Sequence, residues 1–256
     1  MPEPPAATGG ERIAKRLARA GLCSRREAER WIAQGRVAVA GEVLTTPAVV
    51  VQPGDRITVD GKPLPAPEAT RLWRYHKPRG LICAERDPQG RASVFDQLPP
   101  TLPRVVSVGR LDLASEGLLL LTNDGALART LELPATGWLR RYRVRVFGRP
   151  DPEGLAALAA GVTVDGVSYG PIEAALDRRQ GGNAWLTLSL REGRNREVRN
   201  VMTYLGLSVN RLIRVAFGPF QLGKLAPGAV REVPRRVIAD QLGSQSGGRA
   251  GAHRRR

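Results

Sequence analysis

Residues 109–125 read GRLDLASEGLLLLTNDG. The four consecutive leucines, Leu118–Leu121, predict a strand buried on both faces, because a strand with one solvated face alternates apolar and polar side chains. The stretch starts with a turn at Gly109 and stops at Asn-Asp-Gly, which is typical of a second turn. Asp112 and Glu116 therefore stand at the entrance to a buried strand, where the pKa and orientation of a carboxyl group can be controlled. Taken alone, Asp112 also fits an ordinary Asx turn or a solvated loop.

The composition indicates what such a carboxylate would face. The 256 residues include 40 Lys and Arg against 24 Asp and Glu, a formal net charge of +16. This excess favours a polyanionic partner, with nucleic acid first and an acidic membrane surface second. We expect no membrane, because no apolar run approaches the roughly 20 residues that span a bilayer. We read no signal peptide in MPEPPAATGG and expect a cytoplasmic protein.

The two cysteines predict neither a disulfide framework nor a metal site. Cys23 and Cys83 are far apart and form no CxxC, and two histidines cannot complete a zinc set with them. His76 alone is more often a hydrogen-bonded structural residue than a catalyst. The chain also lacks a P-loop, a dinucleotide fingerprint and HExxH. An enzyme with this sequence would work with Asp, Tyr and Arg and without a cofactor.

Composition shifts divide the chain into two predicted domains with flexible ends. The fold class we expect is α+β, a small N-terminal domain followed by a domain with a mixed, mainly antiparallel sheet and flanking helices. The predicted boundaries are a disordered N-terminus at 1–10, a small domain at 11–62, a proline-rich linker at 63–70, a large domain at 71–242 and a disordered basic tail at 243–256.

The N-terminal domain is predicted to carry two basic helices and a small sheet. ERIAKRLARAG places Ile13 and Leu17 on one helical face, and SRREAERWIAQG begins with an N-cap at Ser24. Arginines in or near these helices are candidates for contacts with nucleic-acid phosphates, as are basic residues further along. They are Arg16, Arg19, Arg25, Arg26, Arg30, Arg36, Lys77, Arg141, Arg194 and Arg196.

The large domain offers an aromatic residue on an alternating strand. In RRYRVRVFG, Tyr142 shares its side of the strand with Val144 and Val146, and the intervening arginines form a basic stripe on the other side. Alone, this pattern is typical of a core tyrosine with its hydroxyl at the rim. The arginine cluster of REGRNREVRN lies at a predicted helix start, which suits anion binding but also a solvated charged face.

Four blocks of the sequence resemble the conserved blocks of the RsuA-like family of bacterial rRNA pseudouridine synthases, and they occur in the order expected for that family. They are YHKPRGLIC, GRLDLASEGLLLLTNDG, RRYRVRV and EGRNREVRNVM…LSVNRLIRVAFGPF. The wording GRNREVR is most similar to the branch that acts on 23S rRNA, the large-subunit enzymes of type B. The N-terminal domain resembles the S4 RNA-binding domain that precedes these catalytic domains. The match covers residues 11–242, and the basic tail is outside the family core.

The resemblance implies roles for individual residues. It implies that Asp112 is the essential aspartate, that Tyr142 stacks on the base and that Arg199 pairs with Asp112. Leu212 falls in the block whose apolar residue walls the base pocket, with Ile213 equally possible, and Arg110 is expected in the same substrate pocket. The implied substrate is a uridine of 23S rRNA, with 16S rRNA or a ribosomal assembly intermediate as alternatives, and we expect a monomer.

The chemistry is compatible with these residue types. Pseudouridine forms when the N1–C1′ bond of uridine breaks, the base turns and C5 joins C1′, which requires neither redox chemistry nor an energy source. A carboxylate is needed at the sugar, either as a nucleophile or as a base for the 2′ proton. An arginine beside it would offset the cost of desolvation and lower its pKa.

Two other functions stay open from the residues. A non-catalytic RNA-binding or ribosome-assembly protein would need only the fold and the charge. A glycoside or nucleoside hydrolase would use Asp112 and Glu116 as paired carboxyls. Four residues apart, these two would face each other only on a helix, whereas the leucine run predicts a strand.

Overall fold

The computed structural model of the chain describes residues 9–85, 87–133 and 136–246. Residues 1–8 of the predicted disordered N-terminus and 247–256 of the predicted tail lie outside the described residues. Residues 243–246, predicted as part of that tail, instead end a helix, Arg235–Ser246.

The chain divides into two compact units. The smaller holds the described residues up to Thr70 with the short segments Thr101–Val106 and Asn123–Gly125, and the larger holds the rest. The residues given above as domain boundaries stay predictions. In the described part of the chain, no helix is long and apolar enough to cross a membrane.

The small unit contains two helices and six short strands. They are β1 Glu11–Arg12, α1 Ile13–Arg19, α2 Arg25–Ala33, β2 Val37–Val39, β3 Glu42–Val43, β4 Val50–Val51, β5 Ile57–Val59 and β6 Lys62–Pro63. Strands β3, β2, β5 and β6 form one antiparallel sheet in that order. The Ser24 hydroxyl accepts the Glu27 N–H at 3.1 Å, so the predicted N-cap is confirmed. Ile13, Leu17 and Ile32 are fully buried, because the apolar faces of the helices cover the core.

The large unit is built around one nine-stranded sheet. Its elements are β7 Leu72–Lys77, β8 Val106–Val108, β9 Glu116–Thr122, α3 Gly125–Glu132, β10 Arg140–Phe147, α4 Pro152–Ala157, β11 Val162–Val164, β12 Val167–Tyr169, β13 Ile172–Gln180, β14 Asn183–Leu190, α5 Glu197–Tyr204, β15 Ser208–Phe217, β16 Phe220–Gln221, β17 Val230–Glu232 and α6 Arg235–Ser246. The main path runs β13-β14-β10-β15-β9-β7-β17, with β16 beside β15 and β8 beside β9. Along the main path the pairing is antiparallel except between β9 and β15, which is parallel, so the predicted mixed α+β fold is confirmed.

The leucine run forms strand β9 near the middle of this sheet. Leu118–Leu121 are fully buried, as the four consecutive leucines predict. Gly117 lies where β9 meets β15 in parallel, with φ at +107°. A Cβ at this position would stand 2.3 Å from the Arg214 carbonyl oxygen, so only glycine allows the two backbones to come this close.

Strand β15 is the main element that the residue pattern did not indicate. SVNRLIRVAF mixes polar and apolar residues without a clean period, yet it lies between β9 and β10 in the sheet. Helix α5 packs against β15 with Val198, Val201 and Met202 buried. This packing places the start of α5 over the same sheet face that carries Tyr142.

Candidate active site

A cavity of about 510 Å³ opens in the large unit beside the entrance to β9. Three segments supply most of its wall: the loop before β9, the inner face of β10 and β15, and the start of α5. Its lining includes Asp112, Tyr142, Arg196, Glu197, Leu212 and Arg214.

Asp112 lies on a loop that is fastened at both ends. The Gly109 N–H donates to the Glu132 carboxylate at 2.7 Å. Gly80 N–H donates to the Leu113 carbonyl at 2.8 Å, and Ser115 N–H closes a turn on the Asp112 carbonyl at 3.0 Å. The Asp112 side chain keeps 33% of its surface exposed. The loop is thus rigidly held while its carboxylate stays open to the cavity.

Lys77 is the residue whose predicted role the structure corrects. We predicted an RNA contact, but the side chain is 0% exposed. Its ammonium donates to the carbonyls of Pro78 at 3.0 Å, Asp112 at 3.2 Å and Ser115 at 2.8 Å. Burial lowers its pKa. Lys77 therefore holds the Asp112 loop in place, because a buried ammonium needs hydrogen-bond acceptors and the backbone carbonyls of the turn supply them.

The expected direct pair between Arg199 and Asp112 is also different in the structure. The Arg199 guanidinium donates to the carbonyls of Ala114 at 3.0 Å and Val209 at 3.3 Å. Burial lowers the pKa of Arg199, whereas the nearby Asp112 charge raises it. Arg199 thus lies close enough to act on the carboxylate electrostatically while holding the loop through its backbone.

Arg196 is the arginine that forms an ion pair with Asp112. Its guanidinium is 3.9 Å from the Asp112 carboxylate, and its side chain is half exposed. Its backbone has φ at +51° immediately before α5, a conformation that non-glycine residues seldom adopt. This left-handed residue turns the chain into the helix. Sequence spacing did not distinguish Arg196 from Arg199, since both lie in one cluster three residues apart.

Tyr142 is the third residue of β10 and lines the cavity. It is 8% exposed, and Val144 and Val146 on the same side of the strand are fully buried, as the alternation predicts. Leu212 lies on β15 and lines the cavity, whereas Ile213 pairs with Glu116 in the parallel ladder and does not line it. Of the two apolar candidates for the pocket wall, the structure therefore places Leu212 at the cavity.

Two further polar residues in the wall were not among the predicted site residues. Arg214 is 4% exposed, and its Nε donates to the Leu118 carbonyl at 2.8 Å. Glu197 is 3% exposed, and its carboxylate accepts the Arg194 N–H at 2.9 Å. Burial raises the pKa of Glu197. A buried carboxyl in a cavity with a raised pKa is typical of functional sites, but only the packing of α5 on the sheet reveals that burial.

The predicted RNA-binding residues fall into two groups. Arg194 and Arg196 are exposed and line the cavity, as does Arg110 of the predicted substrate pocket, and Arg141 is exposed on the other side of β10. In the small unit Arg19, Arg25, Arg26 and Arg30 are exposed, while Arg16 and Arg36 are half-buried. Arg36 is held by two hydrogen bonds to Asp60, at 2.9 and 2.6 Å.

Glu116 does not form a carboxyl pair with Asp112. It is 6% exposed at the start of β9, and the Arg211 guanidinium donates to both of its oxygens at 2.7 and 3.0 Å. It is absent from the cavity wall. A hydrolase that uses these two residues together is therefore not supported. In the described ranges, no group of three or more His, Cys, Asp or Glu residues could hold a metal ion.

Comparison with known proteins identifies the family to which this fold belongs. The model of the RNA pseudouridylate synthase family matches residues 71–204, and the S4 domain model matches residues 11–63. A crystal structure of a pseudouridylate synthase superposes with a TM-score of 0.63 at 26% identity, covering 90% of this chain and 99% of that one.

Relatives agree with the family models. A Rickettsia bellii protein named "Uncharacterized RNA pseudouridine synthase" is 46% identical over 227 residues, covering 89% of this chain and 98% of that protein. The "Ribosomal large subunit pseudouridine synthase B" of Yersinia pestis is 44% identical over 227 residues, covering 85% of this chain and 70% of that protein. The chain belongs to the RNA pseudouridylate synthase family and carries an S4 domain ahead of the catalytic fold. It is an isomerase, so the expectation from the sequence blocks is confirmed.

Proposed function

We propose that the protein converts a uridine of ribosomal RNA, in the 23S rRNA of the large subunit, to pseudouridine in the cavity around Asp112. The observation that carries this placement is a difference among three cavity carboxyls. The Glu132 carboxylate accepts a hydrogen bond from the Gly109 N–H, and Glu197 is almost fully buried. Asp112 alone of the three combines an open side chain with a rigid backbone and a cationic neighbour at 3.9 Å.

Asp112 acts at C1′ of the target ribose. As a nucleophile, its carboxylate attacks C1′ while the N1–C1′ bond breaks and the uracil leaves as an anion. The base turns, C5 displaces the carboxylate from C1′, and the proton on C5 is lost as N1 gains one. As a base, Asp112 instead takes the 2′ proton and later returns it. Both routes conserve all atoms and electrons, so the net reaction is an isomerisation.

The neighbouring residues support this step. Tyr142 stacks on the freed uracil, which must remain in the cavity while it turns. Leu212 forms an apolar wall beside it. Arg199 and Lys77 hold the loop carbonyls, so that the carboxylate does not have to reorganise as charge shifts. The target nucleotide leaves its RNA stack to reach the cavity, as in other enzymes that act on bases.

The charge of the chain and the names of its relatives support the proposed RNA class. The arginines of the small unit would grip rRNA phosphates, and the S4 domain would deliver the catalytic unit to one stem-loop. Relatives named for the large ribosomal subunit favour 23S over 16S rRNA. The substrate is naked rRNA or an assembly intermediate in the cytosol, and we propose that the enzyme acts as a monomer.

Pseudouridine mapping in cells with and without the gene tests this proposal. We expect a pseudouridine to be lost from 23S rRNA on deletion and restored by the wild-type gene. Asp112→Asn should not restore it, and purified Asp112→Asn should lose at least about a thousandfold in turnover while binding 23S rRNA nearly as well. Asp165→Asn, the same change in an exposed turn of the same unit, is the matched control.

Three results would contradict the proposal in different ways. A site lost only from 16S rRNA would change the substrate. Full complementation by Asp112→Asn would remove Asp112 from the mechanism. Unchanged pseudouridine in both rRNAs would point to another RNA.

A further inference from the structure

The side of the large sheet that faces away from the cavity carries a row of arginines. On β10, Tyr142 and Val144 project to the buried side, so the residues that alternate with them project to the other side. We call this other side the outer face, and its residues used here are Arg141, Arg143, Arg145 and Phe147 on β10, Arg178 on β13 and Trp185 on β14. All of them are exposed or half-buried. The outer face is therefore accessible to a partner and lies on the opposite side of the sheet from the cavity that Tyr142 lines.

Three arginines of the outer face flank Trp185. In the two antiparallel ladders of β14, Trp185 pairs directly with Arg145 of β10 and with Arg178 of β13. Directly paired residues project to the same face, with their Cβ atoms about 5 Å apart. The Arg143 guanidinium lies 4.8 Å from the centre of the Trp185 ring, which is a cation–π contact. Three positive charges are thus gathered around one aromatic side chain.

Carboxylates on the same strands balance only part of the charge on this side of the sheet. The Asp177 carboxylate lies 3.5 Å from the Arg143 guanidinium, and Glu116 accepts both hydrogen bonds of Arg211. Glu173 is exposed on β13, at a distance from these pairs along the strand. Each of the two paired carboxylates neutralises one arginine, and the other arginines keep their charge.

Those other arginines have no partner within the protein. Among the described residues, Arg141, Arg145 and Arg178 have neither an ion pair nor a side-chain hydrogen bond. Arg145 also lies directly opposite Arg211 in the β10–β15 ladder, and like charges in such a position are unfavourable. An anionic partner would relieve this repulsion, and a nucleic-acid backbone is the anion that arginine rows most often bind.

Phe147 extends the arginine row with an exposed aromatic ring. The residue is 57% exposed. A Cβ on Gly182 would stand 2.9 Å from the ring, so the ring rests against the glycine in the turn between β13 and β14. Alternate residues of a strand are about 6.6 Å apart, close to the separation of successive phosphates in an extended nucleotide chain. Guanidiniums at this spacing beside an exposed ring are typical of surfaces that bind unpaired nucleotides.

We propose that the outer face binds a single-stranded segment of the substrate RNA, away from the target uridine. Its arginines contact successive phosphates, and a base stacks on Phe147. The inference rests on the proposed rRNA substrate, and the family of this chain acts on RNA. A duplex keeps its bases stacked inside, so it offers no base to Phe147. An RNA that occupies both the cavity and the outer face must pass around the edge of the sheet, which favours a long rRNA over an isolated stem-loop.

Two triple variants of the full-length protein test the charge of the outer face. The outer-face variant is Arg143→Gln, Arg145→Gln and Arg178→Gln. The matched variant is Arg129→Gln, Arg235→Gln and Arg236→Gln, three exposed arginines on α3 and α6. Both lose the same net charge, so a difference between them reports where the charge lies. Thermal unfolding shows whether each variant is folded.

Three measurements compare these proteins with wild type. Fluorescence anisotropy measures the binding of a labelled oligouridylate of about 20 nucleotides, longer than the roughly 4 to 16 nucleotides that one small fold covers. A labelled duplex of the same length is the second probe. Turnover is measured by tritium release from a 23S rRNA transcript labelled at C5 of uridine.

We expect the outer-face variant to bind oligouridylate about 10- to 100-fold more weakly than wild type at moderate salt. The slope of log K against log salt should fall by about 2, because each phosphate contact on a single strand contributes about 0.7. Duplex binding should weaken by less than about threefold. KM for the transcript should rise while kcat stays unchanged, because the cavity is on the other side of the sheet. The matched variant should stay within about twofold of wild type in every measurement.

Two further variants separate stacking and folding from charge. Phe147→Leu keeps an apolar side chain and should weaken oligouridylate binding at least about fivefold with the salt slope unchanged. Val167→Ala, a change in an exposed apolar residue of β12, should have no effect on binding. Where loss of the Arg143–Trp185 contact unfolds the triple variant, the double change Arg145→Gln with Arg178→Gln preserves that contact. The double variant should lower the slope by about 1.4.

The comparison of probes and variants decides the proposal. Equal oligouridylate affinity and salt slope in the outer-face and matched variants overturn it, as does a greater loss for the duplex than for the single strand. The proposed function fails separately, if Asp112→Asn retains turnover, and that result would leave the binding of oligouridylate by the outer face as measured.

Discussion

The cations of the two units do different work although the sequence makes them look alike. In the small unit, Arg25, Arg26 and Arg30 are exposed on α2, and Arg30 forms a surface ion pair with Glu27 at 3.0 Å. In the large unit, Lys77 and Arg199 donate to backbone carbonyls of the loop that carries the candidate catalytic aspartate.

The difference comes from burial rather than from charge. An exposed guanidinium keeps its hydration and can exchange it for an RNA phosphate, whereas its ion pairs at the surface contribute little to stability. A buried cation must be fully bonded inside the protein, so it becomes part of the scaffold. Net charge therefore indicates the partner, and burial decides which cations meet it.

Among the changes considered, removal of the buried Lys77 ammonium should have the largest effect on stability and turnover. Lys77→Met leaves three loop carbonyls without their donor, and we expect the free energy of unfolding to fall by about 3 kcal/mol, with turnover reduced by at least about tenfold. Lys62→Met, an exposed lysine of the small unit, should change neither. Denaturant unfolding with parallel tritium-release assays measures both. Equal stability of the two variants would mean that Lys77 does not hold the loop.

Arg199→Lys tests whether geometry matters beyond charge. A guanidinium spans the Ala114 and Val209 carbonyls, whereas an ammonium is a compact donor that cannot bridge them in the same way. We expect kcat to fall about 10- to 100-fold with RNA affinity unchanged. Arg30→Lys in the small unit should leave kcat as it is. Wild-type kcat in Arg199→Lys would show that its charge alone suffices.

Neutralising Arg25, Arg26 and Arg30 together probes the exposed side of the comparison. The triple change to Gln should weaken 23S rRNA binding at moderate salt and reduce the slope of log K against log salt by about 2 to 3. Each phosphate contact that is lost means that about one counterion fewer is released on binding. The thermal midpoint and single-turnover rate on saturating RNA should not change. An unaltered salt slope would exclude this face of α2 from the RNA contact.

The smallest effect concerns the pH dependence of stability. Burial raises the pKa of Glu197 in the folded chain above its ordinary 4.5. As the pH rises past the ordinary pKa, the unfolded chain loses this proton before the folded chain does. The stability that the raised pKa contributes at low pH is therefore lost as the pH passes through the pKa of the folded chain. Glu197→Gln cannot titrate, and its free energy of unfolding should rise relative to wild type as the pH increases above 4.5. A difference that is flat with pH, as expected for Glu173→Gln, would contradict the raised pKa.

The sequence by itself determined the elements whose cause is local. The leucine run predicted the buried strand β9, the alternation in RRYRVRVFG predicted which side of β10 is buried, and Ser24 predicted the start of α2. The family resemblance supplied the class of enzyme and directed attention to Asp112 and Tyr142, which the fold brings to one cavity. Each of these features depends on neighbouring residues in the chain, so a single sequence contains the information.

Only the tertiary structure decided which charged groups are buried and what they hold. Lys77 looked like part of a basic turn, Arg196 and Arg199 were interchangeable by spacing, and nothing local marked Arg214 or Glu197 as cavity residues. Their surroundings form where β15 pairs with β9, at the close approach that Gly117 allows, and where α5 packs on the sheet. Contacts between residues about 35 to 100 positions apart set the dielectric surroundings and the bonding partners of these groups, and a local pattern does not encode them.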